Sequence, residues 1–300
     1  MTMTSLPGVR IPVVRTSGLS RGARIVRSLT LVVPVVIMVL LVLTAIFAPL
    51  LAPHDPSEQN MLERRVVPAF MEGGSTEHLL GTDKLGRDVL SRLIFGGRVS
   101  LSVSLLVIAI TASIGTVLGI TAGYLGGRTE GFVMRVTDVA LAFPGLLIAM
   151  LLAVGLGPGF MTVVIALSAL GWAGYSRLIR GEALKLRGSD FVAQARIIGA
   201  SPLRIMLKHI FPNVVNSLIV IMTLQVGMMI LAESALSFLG IGVPAGTPSW
   251  GSMVADGRSD LDTAWWISLF PGVCIGLVVL SGNFLGDWLR DKLDPRLRQL

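Results

Sequence analysis

The sequence predicts an all-α, polytopic membrane protein with six transmembrane helices. Three observations carry that reading. Apolar residues make up 53 % of the 300-residue chain and charged residues only 14 %, whereas soluble domains hold about a quarter charged residues. Long apolar runs recur along nearly the whole length, and a helix needs roughly 20 such residues to cross a bilayer. Lys and Arg fall unevenly on the segments between the runs, in the manner of the positive-inside bias.

The same features exclude other classes. The net charge of +7 reads as topological bias, because no basic stripe with interleaved aromatics accompanies it and nucleic acid is not an expected partner. The single cysteine, Cys274, lies in an apolar run and makes no intrachain disulfide. His54, His78 and His209 are scattered along the chain, so no metal site is expected. There is no G-x-x-x-x-G-K-S/T phosphate loop, no H-E-x-x-H and no G-x-S-x-G. No catalytic residue and no bound cofactor are expected. A solute moved by such a chain draws on a gradient or on a partner's energy.

Residues 1–28 form a polar tail with Arg10, Arg15, Arg21, Arg24 and Arg27 and no acid. The apolar run that follows, over residues 29–52, is too long for a signal-peptide core and lacks an A-x-A-like end, so it reads as an uncleaved first span. At about 1.5 Å per residue it reaches roughly 35 Å, enough for the hydrocarbon core. Residues 53–99 are a polar loop. In it, Thr82 or Asp83 can cap a helix that carries Leu85, Val89 and Leu93 on one face and ends at Gly96 and Gly97. That helix is either interfacial, feeding the second span, or a plain surface helix.

The second span covers about Ser100 to Ala122, and Gly115, Gly119 and Gly123 recur every four residues, which permits close helix contact. The third runs from about Phe132 to Leu156 with Asp138 near its start and Pro144 within it. Gly157 to Gly159 make a turn, and the fourth span is about Phe160 to Leu178, with small residues at Gly171 and Gly174. The fifth covers about Val214 to Leu239 and contains Glu233. A polar, Gly- and Pro-bearing loop precedes the sixth, about Ile267 to Leu285, and residues 290–300 are a charged tail. Trp250, Trp265 and Trp266 read as an outer interfacial belt.

Between the fourth and fifth spans lies EALKLRGSDFVAQARIIGASPLRIMLKHIFPN, residues 182–213. It does not look like membrane. Its apolar residues fall at helical spacing on either side of Gly199-Ala200-Ser201-Pro202, which reads as two short amphipathic helices joined by a turn. With the N-terminus inside, the segments assigned to the cytoplasm hold five, two, seven and four Lys and Arg residues, eighteen in all, against seven outside. The count puts residues 182–213 and both termini in the cytoplasm.

Charges inside membranes are costly and usually functional. Asp138 lies near the cytoplasmic end of its span, one helical turn from Arg135, and suits an interfacial ion pair or the solute path. Glu233, near the outer end of the fifth span, suits contact with solute or with a neighbouring helix. His209 reads as a helix-end histidine.

Residues 182–213 resemble the EAA loop of bacterial ABC-importer permeases, whose pattern is E-A-A, three residues, Gly, nine residues, then I-x-L-P. In this register the chain supplies Ala193-Gln194-Ala195, Gly199 and His209-Ile210-Phe211-Pro212. Ala193 replaces the usual Glu and Gln194 the central Ala. LLGTDKLGRDVLSRLIFGGRVSL (Leu79 to Leu101), ALSFLGIGVPAGTPSWGSM (Ala235 to Met253), FPNVV and GDWLRDKLDPRL are similar to segments of the C-type subunit of dipeptide and oligopeptide permeases.

The resemblance implies a type I ABC-importer permease fold, with its core over residues 100–289, in a bacterial inner membrane. It implies a subunit importing di- or oligopeptides, or another small solute such as glutathione or a nickel complex. The implied partners are a homologous second permease, two cytoplasmic ATPases that use ATP and Mg, an extracytoplasmic solute-binding protein and membrane lipid. The loop, with Gly199 as its pivot and Pro212 as its end, would sit in a groove of one ATPase. A stand-alone secondary transporter would show an inverted repeat and broken midplane helices, and neither is evident in the sequence.

Overall fold

A computed structural model describes residues 21–244 and 246–293, with side chains from Val32 onward. Most of the two predicted tails lies outside the described residues. The architecture is helical, with one isolated bridge, Thr82 to Asp88, as its only extended pairing among the described residues. Nine helices carry the argument: α1 (Arg21–Ile46), α2 (Val89–Leu125), α3 (Gly127–Ala142), α4 (Gly145–Leu156), α5 (Phe160–Arg187), α6 (Asp190–Ile197), α7 (Pro202–Phe238), α8 (Trp250–Gly257) and α9 (Trp266–Leu293).

Four of these, α2, α5, α7 and α9, are long and apolar enough to cross a membrane, and the bent pair α3–α4 makes up to a fifth. The remaining predicted span, the first, falls on α1, a helix of 26 residues. Its described apolar part is Val32–Ile46.

The centre of the fold is the crossing of α2 on α5. A Cβ placed on Gly115 would lie 2.4 Å from the Tyr175 Cβ, on Gly119 2.7 Å from the Ser176 carbonyl oxygen, and on Gly123 2.7 Å from the Ala183 Cβ. These three glycines therefore bring the two backbones together, as the four-residue spacing predicts. From the α5 side, Gly171 lies under Thr111, whereas Gly174 faces open space. Around this crossing, Val103 and Val107 of α2 meet Ala149 and Ala153 of α4, Val163, Val164 and Leu167 of α5 and Leu236 of α7. α1 packs on α2 and α9.

Three expectations are corrected. Gly96 and Gly97 do not end a helix, and α2 runs through them as one element of 37 residues. Their missing side chains instead admit Trp250, whose indole would be 3.2 and 2.8 Å from a Cβ at these positions. Residues 82–88 are not helical either. Asp83 Oδ1 accepts from the Leu85 and Arg87 amides, which closes a turn, and the helix starts one step later with Asp88 capping the Ser91 amide at 2.7 Å. The third span is broken rather than continuous: α3 and α4 meet at 82°. Pro144 forces the residue before it out of the helical region, and Phe143 sits at φ −90° and ψ 142°.

Two of the three predicted belt tryptophans are also not at the surface. Trp250 and Trp266 are buried, and their indole N–H groups donate to the Leu93 and Thr82 carbonyls at 2.9 and 3.1 Å. A polar cluster lies beside them. Arg87 pairs with Asp83 at 2.6 Å and with Asp256 at 3.1 Å, while Arg92 reaches the same two carboxylates at 3.5 and 3.3 Å. The GTDKLGRD segment is thus bolted to α8. His54 and His78, far apart in sequence, come together at this end with ring centroids 4.8 Å apart.

Gly119→Ala, which pushes a methyl into backbone and Ile179, is expected to cost about 1–3 kcal/mol by overpacking. Gly174→Ala in the same helix pair should be neutral or stabilising by up to about 1 kcal/mol through helix propensity. Thermal unfolding of the two purified variants in detergent, side by side, checks the contrast.

Candidate functional site

The 182–213 loop is more continuous with the flanking long helices than two short helices joined by a turn. α5 runs on past its apolar part to Arg187. Gly188 and Ser189 turn the chain, and α6 follows, with the Val192 and Ala193 amides bonding back to the Ser189 carbonyl. One face of α6 is sealed. Val192 and Ala195 are buried against Ile120 and Tyr124 of α2, Ile179 and Ala183 of α5, and Ile205, Ile210 and Val214 of α7. Arg196 lies over the Tyr124 ring at 5.1 Å. The loop is therefore seated on the ends of the same α2–α5 pair that the glycines hold together.

The turn has a definite chemistry. Gly199 has φ +82°. Its amide bonds to the Arg196 carbonyl and the Ala200 amide to the Ala195 carbonyl, both at 3.0 Å, which is the paired geometry of a Schellman stop. Nothing lies within 4 Å of a Cβ built there, so the glycine is needed for backbone angle and not for space. Ser201 then accepts from the Arg204 amide as the next N-cap, and Pro202 occupies the first helical turn.

Pro212 does not interrupt the helix. The chain stays helical from Pro202 to Phe238. A π-turn at Met206–Ile210 absorbs one extra residue, with the Phe211 amide reaching back to the Met206 carbonyl. The helical ladder has already shifted where proline's missing N–H falls, so the helix continues. The Asn213 side chain donates to the His209 carbonyl at 2.6 Å and satisfies it. His209 itself is partly buried beside this turn.

Ala193 and Gln194 are exposed, as are Ser201 and Pro202. The more telling exposure is apolar and was not singled out from sequence. Ile197 and Ile198 are 86 % and 85 % exposed at the tip, beside Leu203 at 62 % and Leu207 at 58 %. Arg196 and Arg204 flank them. Exposed apolar side chains with a basic rim are the general mark of an interaction surface. The signal was present in the sequence as two isoleucines abutting Gly199, where helical spacing alone would bury only one.

The two acids predicted to lie within spans are placed apart from each other and from this tip. Asp138 pairs with Arg177 of α5 at 2.6 Å, both well exposed, rather than with Arg135. Arg180 binds Glu130 of α3 with its Nε at 2.8 Å, so two ion pairs fasten α3 to the α5 segment that leads into the loop. Glu233 is fully buried. Ser237 donates to it at 2.7 Å, and Ser100, Ser234 and Ser249 complete a ring of hydroxyls that joins α2, α7 and the cap of α8. A cavity of about 540 Å³ opens between α1, α2, α7 and α9, where Arg98, Ser104 and Thr223 interrupt a lining of Val42, Leu105 and Val226. Neither Asp138 nor Glu233 lines it.

The family described as the binding-protein-dependent transport system inner membrane component matches residues 115–299. The chain belongs to this family. A second description, the N-terminal TM domain of oligopeptide transport permease C, matches residues 24–68 of the permease. A di/tripeptide transport system permease protein of Pseudomonas aeruginosa is 44 % identical over 87 % of this permease and 86 % of its own length. An oligopeptide transport system permease protein of Bacillus subtilis is 39 % identical over 89 % and 86 %. A glutathione transport system permease protein of Pectobacterium atrosepticum is 37 % identical over 99 % and 97 %. The permease is a membrane transport subunit with the type I ABC permease fold.

The left-handed turn can be tested in isolation from the rest of the loop. Gly199→Ala should cost about 1–2 kcal/mol locally through the αL penalty, read as faster hydrogen exchange over residues 195–202. Gly199→Asn should lose less, because Asn tolerates that region.

Proposed function

We propose that this permease is one half of the translocation path of an ATP-driven importer for di- and oligopeptides, and that the Ile197–Ile198 tip docks on a partner ATPase. The observation that carries the docking is the pairing of a helix face sealed against the long helices with two almost fully exposed isoleucines at its end. The chain has no phosphate loop of its own, so the energy comes from a nucleotide-binding partner that uses ATP and Mg. Peptides are the favoured solutes because relatives similar over most of the chain are peptide permeases. The glutathione permease relative keeps a small peptide-like thiol as the second reading.

In this reading the protein crosses a bacterial inner membrane six times, with both termini and the loop in the cytoplasm. It pairs with a homologous permease, two ATPase subunits and an extracytoplasmic solute-binding protein. Closure of the ATPase pair pulls on the tip. The pull passes through α6 to α2 and α5, and directly along α7. The permease pair then rocks between inward- and outward-facing arrangements as rigid bodies. The absence of a Glu at Ala193 shifts the contact from a polar anchor to the apolar tip.

The double change Ile197→Asp with Ile198→Asp should leave membrane insertion intact, because neither side chain is buried. It should reduce ATPase retention on the purified complex and peptide uptake into proteoliposomes by about tenfold or more, the loss of an apolar hot spot worth roughly 2 kcal/mol or more. Wild-type uptake and wild-type ATPase retention in the variant would remove the tip from the docking surface.

A further inference from the structure

At the end of the molecule opposite the loop, four side chains converge that the transport reading does not use. His78 is buried. Its Nδ1 lies 3.0 Å from Asp88 Oδ1 and its Nε2 lies 3.4 Å from Glu63 Oε2. The His54 ring sits 4.8 Å from that of His78. His54 Nδ1 is sealed from solvent with no hydrogen-bond partner, 3.8 Å from Asp88 Oδ2. One ligand atom from each of His54, His78 and Asp88 lies within 4.8 Å of the others.

The surrounding bonds hold these groups in place. Asp88 Oδ2 is fixed by the Ser91 amide and hydroxyl, both at 2.7 Å, which leaves Oδ1 aimed at His78. The His54 amide donates to the same Ser91 hydroxyl at 3.0 Å. Glu63 is placed to accept the Nε2 proton of His78, and a carboxylate in that position sets the tautomer of a metal-bound imidazole. Without an ion, the 3.0 Å contact between His78 Nδ1 and Asp88 Oδ1 is a hydrogen bond. A metal ion that displaces its proton meets the Nδ1 and Oδ1 lone pairs side by side, with the unpartnered His54 Nδ1 next to them. Ligand atoms on a tetrahedral zinc, at about 2.0–2.2 Å from the ion, are separated by distances that shifts of about 1 Å in the half-buried His54 would reach.

We propose that His54, His78 and Asp88 bind one divalent transition-metal ion of the zinc class, with Glu63 as the orienting partner of His78. Two imidazoles and a carboxylate suit Zn²⁺ and leave one position for water. The ion ties the segment leaving α1 to the first turn of α2, and closes the polar loop between them without a covalent bond. The inference is independent of what the permease transports.

The test uses the full-length chain expressed with its partner subunits, freed of affinity tags and stripped with a chelator. Zn²⁺ alone is the probe, followed by metal analysis and competition with a fluorescent chelator. The wild type should take up one Zn²⁺ per chain at micromolar affinity or better. His54→Gln and Glu63→Gln should each weaken uptake by about 10- to 100-fold, His78→Gln should abolish it, and His209→Gln should leave it unchanged. If His78→Gln does not assemble, the half-exposed His54→Gln decides. No uptake by the wild type overturns the proposal. Equal uptake by His54→Gln and the wild type overturns it as well, and marks an adventitious ion only.

Discussion

The close crossing of α2 on α5 is the contact on which the rest of the molecule depends. In lipid, helices gain nothing from hiding apolar surface from their neighbours' apolar surface, so association rests on van der Waals contact and polar bonds. Gly115, Gly119 and Gly123 remove the side chains that would keep the two backbones apart. The crossing then sets both ends. At one end Ile120, Tyr124, Ile179 and Ala183 make the floor on which α6 sits. At the other, the first turn of α2 is capped by Asp88 and its Arg87 and Arg92 neighbourhood is fastened to α8.

Much of this was legible from residue patterns. The helical class, the span order, the glycine spacing and the turn at Gly199 to Pro202 all follow from period and turn chemistry. What was not legible shares a cause: the same residue types serve two purposes. Gly96-Gly97 reads as a helix stop, but three-dimensional context uses it to seat Trp250. Pro212 reads as the end of the loop, and a π-turn just before it lets the helix pass through. Pro144 reads as lying within one continuous span, and the span bends there by 82°. Tryptophans near a membrane edge read as a belt, yet Trp250 and Trp266 each found a buried carbonyl. Sequence gives the residue and its spacing, while the partner across the fold decides its role.

The candidate site divides in the same way. Its turn was visible because αL geometry has a residue signature. Its contact surface was not, because the exposure of Ile197 and Ile198 depends on which face of α6 lies against Ile205 and Ile210. The acids show the third case. Asp138 lies one turn from Arg135 but pairs with Arg177 across the helix gap, and Glu233 is ringed by hydroxyls from three elements that no local window contains.

The unbroken course of α7 has a mechanical consequence. A helix of 37 residues from Pro202 to Phe238 is a rod of about 55 Å at about 1.5 Å per residue. No glycine hinge interrupts its lower third, so a sideways force near Leu203 acts as torque on the whole rod. A tilt of about 5° about one end displaces the other by roughly 5 Å at this length. The serine ring around Glu233 lies on the far stretch of that rod, against α2 and the cap of α8. Small rotations at the tip are thus geared into ångström-scale strain at the opposite face, and the π-turn at Met206–Ile210 is the one local departure from the α-helical ladder in between.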